Sequence, residues 1–158
     1  MFPQKDSKDE SKWFIPITFA TDEKRPGDDI PVNWITNTQK EIIIPDVFAN
    51  HNNSENYIYL NLNRKSYYRV NYDYASWIVL HKRLKELPQV TRAQLLDDSL
   101  HLARSEFLSY DIPLTFLMEM QSSKDDLLLW SAAEEGITYL IYMLQREPAY
   151  ETFRVKYR

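Results

Sequence analysis

The spacing of apolar residues changes once along the chain. Up to residue 72, apolar and polar side chains alternate over short stretches, whereas after Asp73 the apolar ones recur every three to four positions. The first spacing is typical of half-buried β-strands and the second of amphipathic helices. The pattern therefore predicts an α+β fold in two segregated parts, strands first and helices second.

Strands are predicted in five stretches: residues 13–20, 30–36, 41–44, 57–62 and 67–72. Pro16 indicates an edge strand or a bulge, because proline cannot donate to a ladder. Asn63 and Ser66 are good turn residues and join the last two stretches into a hairpin. We predict an antiparallel, partial β-sandwich over residues 12–72 with an uncovered edge, preceded by a disordered or loop start at residues 1–11.

Five helical segments are predicted after the change of period: residues 73–87, 91–104, 111–120, 130–144 and 148–157. Asp73 is a suitable N-cap for the first, and Pro88 follows its end. Short loops between short helices indicate antiparallel pairs, as in an α-solenoid. Because a solenoid repeat cannot bury its apolar face alone, we expect the chain to be truncated or to need a partner surface.

The composition excludes several kinds of site. The 158 residues include two glycines and no cysteine, which argues against a phosphate-binding loop and excludes disulfides and thiolate zinc sites. A net charge of -4 gives no electrostatic reason to expect nucleic acid as a partner. The sequence contains no signal peptide and no apolar run long enough for a membrane segment. Asn52 begins an Asn-x-Ser sequon, a possible glycosylation site in a secretory compartment.

Several segments resemble those of the aminopeptidase N-like zinc metallopeptidases, the gluzincin aminopeptidases. The matching segments are Trp13-Phe14-Ile15-Pro16-Ile17-Thr18, Tyr67-Tyr68-Arg69-Val70-Asn71-Tyr72-Asp73, Thr91-Arg92-Ala93-Gln94-Leu95-Leu96-Asp97-Asp98 and Trp130-Ser131-Ala132-Ala133, with Trp77 and Leu102-Ala103 between them. Their order and spacing hold from Trp13 to about Leu144. In that family these regions form the small β-sandwich and the first helices of the C-terminal helical domain. The resemblance thus implies a β-sandwich domain at residues 12–72 and a helical domain beginning at residue 73. Ser66 stands where the family usually has glycine, and serine can adopt a type I turn there.

The family's chemistry depends on residues outside these segments. Its members bind zinc through a His-Glu-x-x-His helix, whose glutamate is the general base, and hold the substrate amine with a Gly-x-Met-Glu-Asn segment. The chain contains neither segment, and no two of His51, His81 and His101 have the metal-binding spacing. We therefore predict no catalytic, cofactor-binding or metal-binding residue in this chain, with zinc belonging to the full-length family member.

The leading functional prediction is a non-catalytic fragment of such an enzyme, whose full-length form removes N-terminal amino acids from peptides. Its partner would be the catalytic domain of the same enzyme or another protein, with peptide as substrate only in the full-length context. The resemblance implies a membrane-bound or extracellular location. The alternative is a free-standing β/α interaction module that binds a protein partner and has no peptidase activity.

The remaining polar residues favour structural roles. Asp97 and Asp98 point about 100° apart on a helix, so we expect an ion pair with Arg92 or Arg104 plus a solvated charge rather than a facing acid–base pair. His101 should hydrogen-bond Asp97 one turn before it, and Arg69 should form an ion pair or a stacking contact at the domain interface. Because tyrosine is common in strands and no basic groove is indicated, six tyrosines are interpreted as strand residues rather than as a stacking platform: Tyr57, Tyr59, Tyr67, Tyr68, Tyr72 and Tyr74. Ser105 and Ser109 lack the surroundings of an activated nucleophile.

Overall fold

The computed structural model describes residues 13–22, 32–36, 38–45, 47, 55–120 and 126–157. Within these residues, four short strands precede five helices. The strands are β1 (Ile15–Ile17), β2 (Phe19–Thr21), β3 (Asn33–Ile35) and β4 (Ile58–Leu60), and the helices are α1 (Tyr74–Lys82), α2 (Gln89–Arg104), α3 (Asp111–Met120), α4 (Leu127–Met143) and α5 (Tyr150–Tyr157). This order confirms the predicted α+β organisation. The predicted start at residues 1–11 and the sequon at Asn52 lie outside the described residues.

The strands form two small antiparallel sheets. In one, β1 pairs with β3 and Pro16 lies opposite Trp34, and in the other β2 pairs with β4 and Ala20 lies opposite Tyr59. The predicted strand at residues 13–20 is therefore two strands that separate at Thr18. The Thr18 carbonyl accepts from Asn61 N at 2.9 Å, and the Thr18 hydroxyl accepts from Leu62 N at 3.0 Å. At this residue the chain leaves the first sheet and enters the second, and these two bonds take the place of strand-to-strand hydrogen bonds.

The strand predicted at residues 41–44 is wrong. These residues have no regular secondary structure, and Ile43 is 85% exposed. A short apolar run becomes a strand only when another strand pairs with it, and none of the described strands does so.

The predicted return strand of the hairpin, residues 67–72, is also wrong. The segment between β4 and α1 contains a single 3₁₀ turn (Leu62–Arg64) and then irregular backbone. Side chains bind the polar groups that a ladder would have paired. Asn61 Nδ2 donates to the carbonyls of Ser66 and Tyr68, and Leu60 N donates to the Tyr72 hydroxyl at 3.0 Å.

The helices lie close to their predicted positions. Asp73 caps α1 as expected, because its Oδ1 accepts from Ser76 N at 3.0 Å. The first segment is shorter than predicted, since α1 ends at Lys82 and a 3₁₀ turn (Leu84–Glu86) follows it. Its predicted apolar face is nevertheless buried throughout, at Trp77, Leu80, Leu84 and Leu87.

One hydrophobic cluster joins the strands to the helices. Tyr57, Tyr59 and Leu62 belong to the same buried cluster as Trp77 and Phe116. The Trp77 ring meets Tyr72 edge-on at 5.0 Å between ring centroids and Phe116 at 5.9 Å. The core is therefore continuous across residues 72 and 73, and α2 lies at its centre with side chains buried on several faces.

Candidate functional site

The largest group of interacting charges lies where the segment before α1 meets α2. Arg69 Nη1 donates to Asp97 Oδ2 at 2.6 Å and to Asp98 Oδ1 at 3.1 Å. Arg64 Nη2 donates to the same Asp97 oxygen at 2.6 Å. The expected role of Arg69 as an ion-pairing residue is confirmed. We call these four residues, together with His101, the junction network.

The predicted partners of the two aspartates are wrong. Arg92 instead pairs with Asp126 at 2.8 Å, and Arg104 pairs with Glu135 at 3.3 Å. Neither aspartate is a solvated charge, since the side chain of Asp97 is 13% exposed and that of Asp98 is 3% exposed. The prediction considered partners on the helix itself and could not anticipate the fold of residues 61–70 against α2.

The pKa values of the two neighbouring carboxyl groups move in opposite directions. Burial acts to raise the pKa of Asp97, but hydrogen bonds and charges from Arg69 and Arg64 outweigh it and leave that pKa below its ordinary value. Burial raises the pKa of Asp98, and the bonds from Val70 N and Arg69 only partly offset it. The aspartates differ because Asp97 contacts two guanidinium groups and Asp98 contacts one from a more buried position.

His101 extends the network towards α4. Its Nδ1 lies 2.9 Å from the Asp97 carbonyl oxygen and 3.2 Å from Asp97 Oδ1, which confirms the predicted local hydrogen bond. Its Nε2 lies 3.8 Å from Glu135 Oε2. Arg104, which contacts Glu135, also lies over the Tyr139 ring at 4.3 Å from its centroid. The imidazole thus lies between carboxylates of two helices.

The segment carrying Arg64 has an unusual backbone. Asn61, Asn63 and Arg64 all have positive φ, at 56°, 56° and 51°. For L-residues this conformation costs about 1 kcal/mol or more each. Asn61 compensates by using its side chain on both sides of the turn, accepting from Ser66 N at 3.0 Å as well as donating to carbonyls. Ser66 itself has no positive φ, so the serine in place of the family's usual glycine causes no strain.

The network borders an open groove of about 420 Å³ between α2 and α4. Arg64 and Arg69 supply two positive charges to its lining, and Asp97 and Glu135 supply two negative ones. A charge-balanced network of this kind stabilises a contact between elements, and it offers no unpaired acid, base or nucleophile for a reaction.

A stacking platform of tyrosines, which the sequence disfavours, does not form among the described residues. Tyr57 and Tyr59 are buried in the core, and the Tyr68 hydroxyl donates to the Pro16 carbonyl at 3.0 Å. Burial raises the pKa of Tyr72, whose hydroxyl accepts from Leu60 N. Of the six, Tyr67 and Tyr74 are largely exposed. Tyr59 lies in β4, and the interpretation of the other five as strand residues is wrong, because they lie outside the described strands.

Two polar residues of structural importance were not predicted. Gln94 Nε2 donates to the Leu60 carbonyl at 3.0 Å and so ties α2 to β4. Asp126 caps α4 by accepting from Leu129 N at 3.1 Å, and it also binds Gln89 and Arg92. An aspartate directly before an apolar helical run is a recognisable N-cap signal, whereas the long-range contact of Gln94 has no local signal.

The described residues contain no group of three or more metal-binding side chains arranged to hold an ion. His81 packs edge-on against Phe116 at 5.3 Å between ring centroids, and His51 is outside the described residues. No helix in this part of the chain combines the length and the apolar character that crossing a membrane requires.

Comparison with known proteins identifies the family. Residues 57–158 match the family model described as the ERAP1-like C-terminal domain. The chain belongs to the aminopeptidase N-like family. The thyrotropin-releasing hormone-degrading ectoenzyme of Rattus norvegicus is 30% identical over 145 residues, which cover 89% of this chain and 13% of that protein. Aminopeptidase N of Homo sapiens is 28% identical over 145 residues, covering 87% of the chain and 14% of the relative.

The chain therefore spans about one seventh of the length of the curated aminopeptidases it matches. Among the described residues no donor set suits the family's zinc, because no group of three or more metal-binding side chains comes together and Asp97 and Asp98 are engaged by arginine. In this part of an aminopeptidase N-like protein, the junction network joins residues 61–70 to α2.

Proposed function

We propose that this chain is a non-catalytic, architectural segment of an aminopeptidase N-like zinc metallopeptidase. In the full-length enzyme, zinc-dependent removal of N-terminal amino acids from peptides would occur in a catalytic domain outside this segment. The observation that carries the proposal is the junction network. Its arginines and aspartates neutralise one another and fix residues 61–70 to α2, leaving no group poised for chemistry.

The exposed aromatic face of the first sheet supports a contact with the catalytic domain of the same enzyme. Phe14 and Trp34 are 59% and 51% exposed, and both lie on the Pro16 side of the β1–β3 pair. Clustered apolar side chains on a small sheet are typical of a surface that another domain covers. A membrane-bound or extracellular location for the full-length protein is part of this proposal, since one matched relative is named an ectoenzyme.

The same exposed face also suits the alternative, a free-standing module that binds another protein. The coding sequence upstream of Met1 distinguishes the two. An in-frame His-Glu-x-x-His segment would support the enzyme segment, and its absence from the whole transcript would support the free-standing module.

The purified chain should contain no stoichiometric zinc and should not cleave an aminoacyl anilide. Metal analysis after dialysis and a chromogenic assay measure the two properties, with full-length aminopeptidase N as the positive control. Turnover by the chain that a chelator abolishes and added zinc restores would show that this segment is catalytic and would refute the proposal.

A further inference from the structure

His101 lies on α2 at the contact with α4, with a carboxylate beside each of its ring nitrogens. Its Nδ1 is 3.2 Å from Asp97 Oδ1, one turn earlier on the same helix. Its Nε2 is 3.8 Å from Glu135 Oε2 on α4. The side chain of His101 is 27% exposed, so the ring is partly shielded and can still exchange protons with solvent. The imidazole therefore occupies a place where a positive charge would have two opposite charges next to it.

Both carboxylates use one oxygen for arginine and turn the other towards the imidazole. Arg64 and Arg69 each donate to Asp97 Oδ2 at 2.6 Å. Arg104 Nη1 donates to Glu135 Oε1 at 3.3 Å. The oxygens that face the ring are the other two, Asp97 Oδ1 and Glu135 Oε2. The arginines thus hold the carboxylates in place and leave one oxygen of each for the imidazole.

The hydrogen bond of His101 to its own helix determines which nitrogen carries the proton in the neutral ring. Nδ1 lies 2.9 Å from the Asp97 carbonyl oxygen, which can only accept, so Nδ1 is the donor. In the neutral ring Nε2 then carries a lone pair and no proton. Because Glu135 Oε2 is also an acceptor, no hydrogen bond can form between these two atoms while the ring is neutral.

Protonation of Nε2 converts this contact between two acceptors into an ion pair. The imidazolium keeps its Nδ1–H bond to the Asp97 carbonyl and gains an Nε2–H that points to Glu135 Oε2. The side chain of Glu135 is 69% exposed and can rotate to shorten the 3.8 Å separation to a hydrogen bond. The proton thereby adds a direct polar bond between α2 and α4.

The remaining titratable and charged groups around the imidazole limit the size of the effect. They are Arg64 and Arg69 from the segment before α1, Arg104 on α2, Tyr110 before α3 and Tyr139 on α4. The tyrosines are uncharged near neutral pH. The arginines oppose a further positive charge, although each donates to a carboxylate. The lowered pKa of Asp97 keeps its carboxylate ionised throughout the range in which histidine titrates. We therefore expect an effect of the size that a partly exposed ion pair gives.

We propose that His101 is a proton-operated link between α2 and α4. The link forms when the imidazole is protonated and is lost when the ring is neutral. Since the unfolded chain does not hold the two carboxylates beside the ring, protonation stabilises the folded chain in preference to the unfolded one. The added stability is present below about pH 6.5, where a histidine ordinarily gains its proton, and disappears as the pH rises above that range. The link lies within the described helices and does not depend on a catalytic domain.

A double-mutant cycle measured at two pH values tests the proposal. The parent chain, His101→Gln, Glu135→Gln and the double variant are unfolded in urea at about pH 5.5 and at about pH 8. At the lower pH the two substitutions should be coupled by about two- to fivefold in the equilibrium constant for unfolding. At the higher pH the coupling should disappear. Loss of the Arg104 contact in Glu135→Gln occurs with and without the histidine and cancels in the cycle.

The same cycle with His81→Gln in place of His101→Gln is the control. His81 lies on α1 and packs against Phe116, so it should show no coupling with Glu135 at either pH. Equal coupling of His101 and Glu135 at both pH values would indicate a bond made by the neutral ring and would overturn the proposal. Absence of coupling at the lower pH would equally overturn it.

Nuclear magnetic resonance of the full 158-residue chain gives an independent test that needs no folded variant of His101. Long-range ¹H–¹⁵N spectra distinguish the protonation states of the two ring nitrogens. The His101 ring should carry its proton on Nδ1 at about pH 8 and protons on both nitrogens at about pH 5.5. A proton on Nε2 alone at the higher pH would overturn the proposal, because the neutral ring could then already donate to Glu135.

Discussion

Arg69 holds two adjacent aspartates that diverge on the surface of α2. A single nitrogen of its guanidinium reaches Asp97 at 2.6 Å and Asp98 at 3.1 Å, while the neighbouring Val70 N–H donates to Asp98 Oδ2 at 3.2 Å. Side chain and backbone of one segment therefore bind the same pair of carboxylates. This arrangement places Asp97 near solvent beside two positive groups and Asp98 in the interior, which is why their pKa values shift in opposite directions.

Asp97 and Asp98 should give opposite pH dependences of stability. The pKa of Asp97 is lowered on folding, so its stabilisation is present above the ordinary value of about 3.9 and is lost as pH falls through the lower folded pKa. The pKa of Asp98 is raised, so its contribution is most favourable below about 3.9 and declines as pH rises through the raised folded pKa. With rising pH, the parent chain should therefore gain stability relative to Asp97→Asn and lose it relative to Asp98→Asn.

Urea unfolding of the three proteins in steps between about pH 2.5 and 6 measures these differences, on either side of the ordinary aspartate pKa. Glu147→Gln removes an exposed carboxylate outside the junction network and serves as the reference for the loss of one charge. Slopes of the same sign for the Asp97 and Asp98 variants would contradict the assigned environments.

At the scale of elements, Gly136 sets how closely α4 approaches α2. A Cβ at this position would lie 2.7 Å from Leu100 Cδ1 and 3.0 Å from Leu100 Cγ. Leu100 is itself 4% exposed and has little room to move. Glycine destabilises a helix by about 1 kcal/mol relative to alanine, but its lack of a side chain here allows the two helices to pack closely.

Gly136→Ala should destabilise the chain despite the better helix propensity of alanine. Overpacking costs about 1–3 kcal/mol, against a propensity gain of about 1 kcal/mol. Leu100→Ala should cost about 2–5 kcal/mol in the parent chain and at least about 1 kcal/mol less in the Gly136→Ala background, because the new methyl group then occupies part of the cavity. Additive effects in this double-mutant cycle, measured by urea unfolding, would show that the two side chains do not compete for space.

The elements also show what the sequence could predict. Helices α2 to α5 begin and end within about three residues of their predicted positions, because apolar period and capping residues are local properties. The failures, at residues 41–44 and 67–72, depend on distant partners. Residues 67–72 alternate as a strand would, yet their polar groups bind Asn61, Asp98 and Leu60. No local sequence pattern specifies those contacts. For the same reason, the sequence did not predict that Arg64 pairs with Asp97.

At the scale of the whole molecule, the hydrophobic core continues across residue 73, where the spacing of apolar residues changes from strand-like to helical. Tyr57, Tyr59 and Leu62 precede the change and belong to the cluster that contains Trp77. The junction network and the bond from Gln94 to the Leu60 carbonyl cross the same point. The family model likewise begins at residue 57 rather than 73. The division into domains at residues 12–72 and 73–158 stays a prediction from sequence, and folding of fragments tests it directly.

A fragment of residues 57–158 should unfold cooperatively, whereas one of residues 73–158 should not. Removing residues 57–72 takes Tyr57, Tyr59 and Leu62 out of the core and deprives the buried Asp98 of both Arg69 and the Val70 N–H. The free-energy cost of an unpaired buried carboxylate and an exposed apolar face exceeds the stability that the five described helices supply. Urea unfolding followed by circular dichroism compares the fragments with the full chain. The longer fragment should be weakened by the loss of β2, the antiparallel partner of β4, and of the hydrogen bonds that Thr18 and Pro16 accept. A cooperative transition of equal midpoint in both fragments would instead establish a domain boundary at residue 73.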